Sequence, residues 1–400
     1  MNRLTGILFL SSAVTALAGT PADECCKVNL LTGEGVSLGN IVFPEINYQV
    51  AGGSSTTDPE SLAVGHHDPD RHGITQQSIE FSLGVKITEQ IMFFGNYAAK
   101  IDQDDHWFDE FEEYYFTFSE LPGNAQFRGG RFYPRFGMHN TEHPHATFFV
   151  DENLANGRLV GEDHLTLYGG ELSLPILRSL PSGWSDRLTL AFGAIPVDRP
   201  EEEEALFPEP LFEAEGAHFQ DWAAVADYAL TFNATSITQW KGGISGAWGH
   251  NQADRFTQLY ALYGEYIWQP GGVAVGGHCG HDAGEFLRWR GEVITRYSEA
   301  FAPPLRDEFT EVGVNTSLSY GFPGGKWQTH LRAEYISGTA ETASSERWRI
   351  SPAVAWIPSA DLPVRLGVQY NYDHSPSFGE EHSIWAQVTI SWGDCCSHPH

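Results

Sequence analysis

The sequence predicts an all-β protein, a transmembrane antiparallel β-barrel of about 16 strands with short periplasmic turns and long outer loops. Three observations predict this class. Apolar and polar residues alternate with a period of two along most of the chain, as in strands with one apolar face. The alternating segments have about the 9–11 residues that a membrane strand needs, whereas sandwich strands usually have about five or six. Aromatic residues lie toward both ends of the apolar faces, where barrels place their aromatic girdles.

The chain begins with a segment typical of export. Arg3 precedes an apolar stretch over 4–18 that ends at Ala18 in a small-x-small pattern, which is typical of a signal-peptide cleavage site. We therefore expect a signal peptide over 1–18 and a periplasmic N-terminal segment over 19–39. No later stretch approaches the roughly 18 apolar residues of a membrane-spanning helix, so a secreted, periplasmic or outer-membrane β protein remains.

Sixteen alternating segments follow in a barrel domain over 40–392. Trp327, Leu331 and Tyr335, for example, share one face of their segment, and Arg332 lies on the other. An even strand number is expected of a closed bacterial barrel with both termini in the periplasm. The predicted strands are 40–52, 75–87, 91–102, 108–118, 125–136, 162–176, 186–196, 221–233, 236–250, 257–268, 285–297, 306–322, 327–337, 346–358, 362–373 and 380–392.

Connection lengths favour the same topology. Short, turn-like links alternate along the chain with long, irregular links, as periplasmic turns and outer loops do. Only the Gly-rich link 269–284 breaks this alternation. The long links are 53–74, 137–161 and 197–220.

The composition restricts the partners. The formal charge is −29, and only five residues are lysine, which argues against nucleic acid because nucleic-acid binding depends on Lys and Arg. Cations or neutral solutes fit this charge better. The chain contains no Gly-x-Ser-x-Gly elbow, nucleotide-binding loop or HExxH motif, so we expect no enzymatic activity.

Histidines cluster in the predicted outer loops, beside carboxylates. Imidazole and carboxylate together suit Zn²⁺ and other divalent transition metals, although loop histidines that are merely solvated would give the same pattern. The His143-Pro144-His145 segment is either a chelating pair or a packing motif that folds its loop inward. No cofactor is required; zinc or another divalent transition metal is the candidate. The candidate ligands in the loops are His66, His67, His72, His139, His143 and His145.

Charged residues define two further candidate groups. The first is a constriction loop, and the second is a wall of arginines on the polar face of the late strands, which would set a transverse field across the pore. Alternatively, these arginines pair with Glu292, Glu334 and Glu346 and only stiffen the barrel. The constriction-loop candidates are Glu142, Asp151, Glu152 and Arg158. The pore-lining candidates are Arg288, Arg290, Arg332, Arg347, Arg349 and Arg365.

The five cysteines all fall on the predicted periplasmic side. Closing the barrel brings Cys25-Cys26 near Cys395-Cys396 in the tail over 393–400, which predicts disulfides that tie the termini. The alternative is a metal site in which Cys395 and Cys396 act with His398 and His400. Cys279 is left free or binds metal with its neighbouring histidines.

Several motifs between residues 66 and 176 resemble those of a family of porin-like bacterial outer-membrane proteins, some of which are labelled zinc-regulated outer-membrane receptors. The resemblance implies a β-barrel porin or receptor, with expression or uptake linked to metal. From about residue 180 onward only the strand rhythm agrees. The motifs are His67-Asp68-Pro69-Asp70-Arg71-His72-Gly73, Gly130-Arg131-Phe132, His143-Pro144-His145-Ala146 and Asn156-Gly157-Arg158.

We therefore expect an outer-membrane porin. Small solutes or metal-ion species would diffuse through its water-filled lumen, past acidic, His-rich outer loops. Its partners would be outer-membrane lipid, these solutes and, as in many porins, two further copies in a homotrimer. The alternative is a secreted or periplasmic metal-binding β-sandwich in which the histidines act as a metal sink.

Overall fold

A computed structural model describes residues 36–101, 106–177, 179–196, 218–251, 255–271, 284–299, 308–338, 346–359 and 362–393. They form sixteen strands and very little helix. The predicted signal peptide, all five cysteines, His398 and His400 lie outside these residues. The strands are β1 Val42–Ser55, β2 Gly73–Lys86, β3 Ile91–Ile101, β4 Trp107–Leu121, β5 Ala125–Phe132, β6 Leu167–Leu174, β7 Trp184–Ala194, β8 Phe219–Thr235, β9 Thr238–Asn251, β10 Phe256–Trp268, β11 Phe286–Glu299, β12 Glu308–Gly321, β13 Trp327–Ile336, β14 Arg347–Trp356, β15 Val364–Ser375 and β16 Gly379–Gly393.

Each strand pairs antiparallel with its neighbours in sequence, and β1 pairs with β16 to close the barrel. At this closure Val50 lies opposite Val388 and Ile46 lies opposite Trp392. The predicted 16-strand antiparallel barrel is confirmed. The alternative of a soluble β-sandwich is wrong, because the strands form one closed sheet with no second sheet against which their apolar faces could pack.

The outer surface of the barrel is apolar. Ile244 and Leu262 point outward and are 59% and 61% exposed, which suits contact with lipid. Aromatic pairs lie near both rims: the Trp327 and Trp356 rings are 6.2 Å apart at one rim, and Trp348 packs near the other. This closed, lipid-facing surface places the protein in the bacterial outer membrane.

Within the described ranges, no helix has the length and hydropathy that crossing a membrane requires. The chain enters β1 and leaves β16 at the rim that carries the short turns, which is the periplasmic rim of such barrels. The long connections 56–72 and 133–166 lie at the opposite rim. The connections 252–255 and 376–378 at that rim are short, so only some of the outer loops are long.

The inner wall is covered around its whole circumference. Every strand contributes an inward-facing residue that is at most 4% exposed. The described residues therefore differ from the open, water-filled lumen that the sequence predicts. These wall residues are Asn47, Glu80, Asn96, Tyr115, Phe132, Leu167, Thr189, Val225, Ala247, Leu259, Ile294, Glu311, Ile336, Arg349, Asn371 and Trp385.

Candidate functional site: the inner loop and the basic vestibule

The connection between β5 and β6, residues 133–166, folds into the barrel and is called the inner loop. It reaches opposite sides of the wall. The Gly137 backbone N–H donates a hydrogen bond to Ser245 Oγ on β9 at 2.9 Å, and Gln49 Nε2 on β1 donates one to the Pro144 carbonyl at 3.3 Å. The predicted constriction-loop residues that lie on this loop are Glu142, Asp151, Glu152 and Arg158.

The local sequence explains how the inner loop turns. Pro144 begins a single 3₁₀ turn, Pro144–Ala146, and Asn153 caps the short helix α1, Leu154–Leu159, by accepting a hydrogen bond from the Asn156 N–H at 2.8 Å. Gly137 has a φ of 61°, and a Cβ there would lie 2.0 Å from Glu292 Oε1. Both the backbone and the space therefore require glycine at this turn.

An apolar core inside the barrel holds one part of the inner loop. Phe136, Leu159 and Leu165 of the loop belong to the same buried cluster as Leu259 and Ile294 of the wall. Burying one side chain of this size typically contributes about 1.5–3 kcal/mol. The apolar contacts alone therefore favour the docked position of the loop.

Asp151 anchors the middle of the inner loop through four side-chain donors from three strands. Arg332 Nη2 donates to it at 2.5 Å and Arg349 Nη1 at 2.8 Å, and Gln369 and Asn371 donate at 2.7 and 2.8 Å. Burial alone would raise the pKa of Asp151, but the two guanidinium groups outweigh it and lower the pKa to about 2. The carboxylate is therefore charged and fully paired.

The predicted pore-lining arginines face inward, as the alternation requires, but several of them hold loops instead of lining an open passage. Arg349 is only 1% exposed, and Arg347 and Arg349 both donate to Asp373 and to the Leu62 carbonyl. Arg365 donates to a carbonyl of the inner loop at 2.7 Å. These three arginines therefore bond to loops and to groups of the wall, because a guanidinium removed from water needs partners on every side.

Arg332 also pairs with a glutamate of the wall, which is the alternative role that the sequence left open for these arginines. Its Nε lies 2.8 Å from the Glu334 carboxylate. Arg290 contacts Glu142 of the inner loop at 2.6 Å and Glu265 at 2.9 Å. Between the inner loop and β11–β13, a cavity of only about 40 Å³ remains, with room for a few water molecules.

A second anchor joins the His143-Pro144-His145 segment to the wall. It is called the His–Glu cluster and comprises His143, His145, Glu45, Glu80, Glu112 and Glu113, all of which are largely buried. His143 Nδ1 lies 3.1 Å from Glu112 Oε2, and His143 Nε2 lies 3.1 Å from Glu113 Oε2. His145 Nδ1 lies 2.7 Å from Glu80 Oε2 and its Nε2 lies 3.6 Å from Glu45. Each imidazole is thus held between two carboxylates.

The electrostatics of this cluster favour positive charge on the loop. Burial alone would lower the pKa of His143 and of His145, but the neighbouring carboxylates outweigh burial and raise both pKa values. Four buried carboxylates repel one another strongly unless cations neutralise them. The cluster therefore requires protons or another cation.

The structure brings only part of the predicted metal-ligand set together. His67 Nε2 lies 3.4 Å from Glu112 Oε1, at the edge of the His–Glu cluster. His72 is hydrogen-bonded to Ser54 Oγ instead, and His139 is hydrogen-bonded to Glu142 at 2.8 Å, on the other side of the lumen. His66 lies 3.6 Å from Asp163.

A third feature is a group of cations in the periplasmic half of the lumen. It is called the basic vestibule and comprises Arg128, Arg135, Arg187, Lys241 and Arg288. Among the described residues, Arg187 and Lys241 form neither a hydrogen bond nor an ion pair, and both are within range of the Arg135 charge. Arg135 is 33% exposed at its side chain. Among the described residues, the carboxylates that pair with these five cations or lie within range of their charge are Glu113, Glu142, Glu171, Asp227 and Glu265.

Sequence reasoning missed the wall carboxylates and most of the vestibule. Glu80 lies on the polar face of a predicted strand, and Glu112 and Glu113 lie next to each other in a membrane strand. Charged residues in a membrane strand are a signal for the lumen face. That signal does not say which loop residue each carboxylate meets.

The closed sixteen-strand sheet, apolar exterior and polar, loop-filled interior define an outer-membrane β-barrel. A scan of known protein-family models finds no match to the sequence, and neither does a search of curated proteins. Among solved structures, the chain resembles an anion-selective porin from Comamonas acidovorans (8% identity, TM-score 0.53, covering 88% of this chain and 99% of the porin). It also resembles OmpF of Salmonella typhi, solved in complex with daunomycin (10% identity, TM-score 0.53, covering 90% and 98%).

A third similar structure is the outer-membrane channel DcaP of Acinetobacter baumannii, with 10% identity, a TM-score of 0.50 and coverage of 88% of this chain and 96% of DcaP. At such low identity these similarities show the fold alone. They support the porin-like part of the resemblance at the level of the fold and contain nothing about regulation by zinc.

Proposed function

We propose that the protein is an outer-membrane channel that the docked inner loop closes, and whose basic vestibule favours small anions when the loop moves. The observation that carries this proposal is the polar docking of the inner loop at Asp151. A barrel of sixteen strands encloses an aqueous channel unless something fills it. Among the described residues, the filling is the inner loop together with Leu62 of the connection 56–72, and hydrogen bonds and ion pairs at Asp151 hold the inner loop to one side of the wall.

Such contacts suit a movable element. A hydrogen bond inside a protein contributes only about 0.5–1.5 kcal/mol net, because water replaces it when the partners separate. The donors around Asp151 lie on the polar inner face of the barrel. Displacement of the Asp151 segment would therefore exchange protein contacts for hydrated ones, whereas displacement of Phe136, Leu159 and Leu165 would expose an apolar surface.

The vestibule indicates the solute class. The whole chain carries a formal charge of −29, from which the sequence favours cations or neutral solutes. In the basic vestibule, by contrast, Arg187 and Lys241 have no carboxylate bonded to them among the described residues. Basic side chains lining a pore favour anions.

Ion selectivity in a planar lipid bilayer tests this proposal. Under a tenfold KCl gradient, the reversal potential of wild-type openings should show a preference for Cl⁻ over K⁺. The double variant Arg187→Gln, Lys241→Gln should lower the Cl⁻/K⁺ permeability ratio severalfold. Its matched control is Lys86→Gln, Lys326→Gln, which removes the same charge near the periplasmic turns and should leave the ratio close to wild type.

Three results would count against the proposal. They are a folded barrel that shows no channel activity, a preference for K⁺, and a reversal potential that the vestibule variant leaves unchanged. Passage of metal-ion species and association into a homotrimer stay predictions of the sequence.

A further inference from the structure

The His–Glu cluster holds an arrangement that the channel proposal does not use. Glu80 on β2, Glu112 on β4 and His143 on the inner loop each present one ligand atom, and these atoms all lie within 4.8 Å of one another. All three residues are buried. We infer that they form a binding site for one divalent transition-metal ion such as Zn²⁺, which ties the inner loop to the wall.

The distances are close to those of a zinc site. Nitrogen and carboxylate ligands lie about 2.0–2.2 Å from Zn²⁺, so any two of them are at most about 4.4 Å apart. His143 Nδ1 is already 3.1 Å from Glu112 Oε2 and 3.8 Å from Glu80 Oε2. The widest separation needs to shrink by only a few tenths of an ångström, which rotation of a carboxylate supplies.

The other nitrogen of His143 has the partner that a metal-bound imidazole requires. Glu113 Oε2 lies 3.1 Å from His143 Nε2, so it accepts the Nε2–H and leaves the Nδ1 lone pair facing Glu80 and Glu112. Metal-ligating histidines almost always donate their other N–H to a carboxylate, carbonyl or water. Glu113 is itself held in place by a backbone contact, because its Oε1 accepts the Tyr133 N–H at 2.8 Å.

The ligand chemistry selects the type of ion. One imidazole with two carboxylates suits Zn²⁺ and similar transition metals, whereas Ca²⁺ and Mg²⁺ prefer oxygen ligands alone. A dication also answers the charge problem of the cluster, because it neutralises Glu80 and Glu112, which otherwise lie buried close to each other.

The second group of candidate ligands, His66, Glu110 and Asp163, is a weaker site. Arg131 Nη2 already occupies Glu110 at 3.0 Å, and the Asp163 side chain is 53% exposed. Lys100 Nζ donates to the His66 carbonyl at 2.5 Å and brings a further positive charge. Cations at this site compete with a metal, so the inference is confined to Glu80, Glu112 and His143.

Calorimetric titration with Zn²⁺ of the full chain, folded in detergent and first treated with a chelator, tests the inference. Wild type should bind one tight equivalent that Glu112→Gln and His143→Asn abolish or weaken at least 100-fold. Glu113→Gln should weaken binding by about 10–100-fold, since it only orients the imidazole. The matched control is His139→Asn, which breaks another His–Glu pair of the same loop and should bind like wild type.

Two further measurements make the result decisive. Heat-modifiable migration on gels identifies the variants that fold, and only these are compared. X-ray absorption of the wild-type zinc complex needs no variant, and it should show nitrogen and oxygen ligands with one imidazole. Sulfur ligands, which would indicate the cysteines, would overturn the inference. So would the absence of a tight equivalent in wild type, or unchanged binding in Glu112→Gln. None of these readouts depends on channel activity.

Discussion

The two halves of the lumen use their charges differently. Along β13–β15, Arg332, Arg347 and Arg349 are buried, and each is bonded to carboxylates or loop carbonyls. Along β7 and β9, in the periplasmic half, Arg187 and Lys241 have no hydrogen-bonded or ion-paired partner among the described residues. The first group is satisfied by the inner loop, by the Leu62 carbonyl and by wall carboxylates, and the second remains available to a solute.

This difference separates two roles that sequence alone gives to one arginine wall. A buried pair contributes mainly through the cost of breaking it, because the remaining charge is left without a partner away from water. A cation that faces water in a lumen costs little and attracts mobile anions. In the proposed channel, the paired arginines would hold the inner loop docked, and the cations without a bonded partner would set the ion preference.

The largest expected effect is the contrast between Arg349→Gln and Arg187→Gln. Removing Arg349 breaks a buried ion pair to Asp151 and another to Asp373, leaving each with one guanidinium partner, and breaking a buried pair typically costs about 3–5 kcal/mol. Removing Arg187 breaks no hydrogen bond among the described residues, so the change should stay within about 0.5 kcal/mol. Urea unfolding of the detergent-folded variants, followed by tryptophan fluorescence, measures both. Equal effects from the two substitutions would remove the distinction between the halves.

A smaller effect on the docking of the inner loop is expected when the pH is lowered. The pKa of docked Asp151 is about 2, below the usual value for aspartate of about 3.9, because Arg349 and Arg332 outweigh the effect of burial. Docking is therefore stabilised by this group above about pH 4 and loses that stabilisation as the pH falls toward 2. Asp68 nearby has its pKa raised to about 6 by burial and by the Asp151 charge, so it is neutral before Asp151 is protonated.

Channel recordings between pH 7 and pH 2 check this prediction. The open probability of wild type should stay low to about pH 4 and rise below it. The variant Asp151→Asn should lack this rise, because it has no carboxylate to protonate at this position. A rise that begins near pH 6 would assign the effect to Asp68 instead.

The barrel could be predicted from sequence because its signal is local. Trp327, Leu331 and Tyr335 face lipid while Arg332 faces inward, and such alternation does not depend on the partner strand. Prediction was weakest where β5 gives way to the inner loop. The sequence predicts a strand over 125–136, because nothing in its residue pattern marks an earlier end. In the structure β5 ends at Phe132, and Tyr133 and Pro134 begin the turn into the lumen.

The site was only partly predictable because its contacts join distant parts of the chain. Asp151 and Glu142 were expected on a constriction loop, and the structure places both inside the barrel against arginines. Nothing in the sequence pairs His143 with Glu112, since the register between a folded-in loop and the wall depends on three-dimensional packing. Strict alternation from Tyr114 and Phe116 would turn Glu112 toward lipid, and a β-bulge opposite Asn96 and Ala98 brings it inside with Glu113. The path of the loop then decides which residue Glu112 meets.

The most direct test of the account compares single-channel recordings of Asp151→Asn and Glu152→Gln with wild type. The two positions are neighbours on the inner loop, but Asp151 accepts four side-chain hydrogen bonds from the wall. Glu152 accepts no side-chain hydrogen bond from the wall among the described residues, and burial raises its pKa. The account predicts that Asp151→Asn raises the open probability severalfold and keeps the preference for Cl⁻, while Glu152→Gln behaves like wild type. A wild-type open probability in Asp151→Asn, or equal changes in both variants, would contradict it.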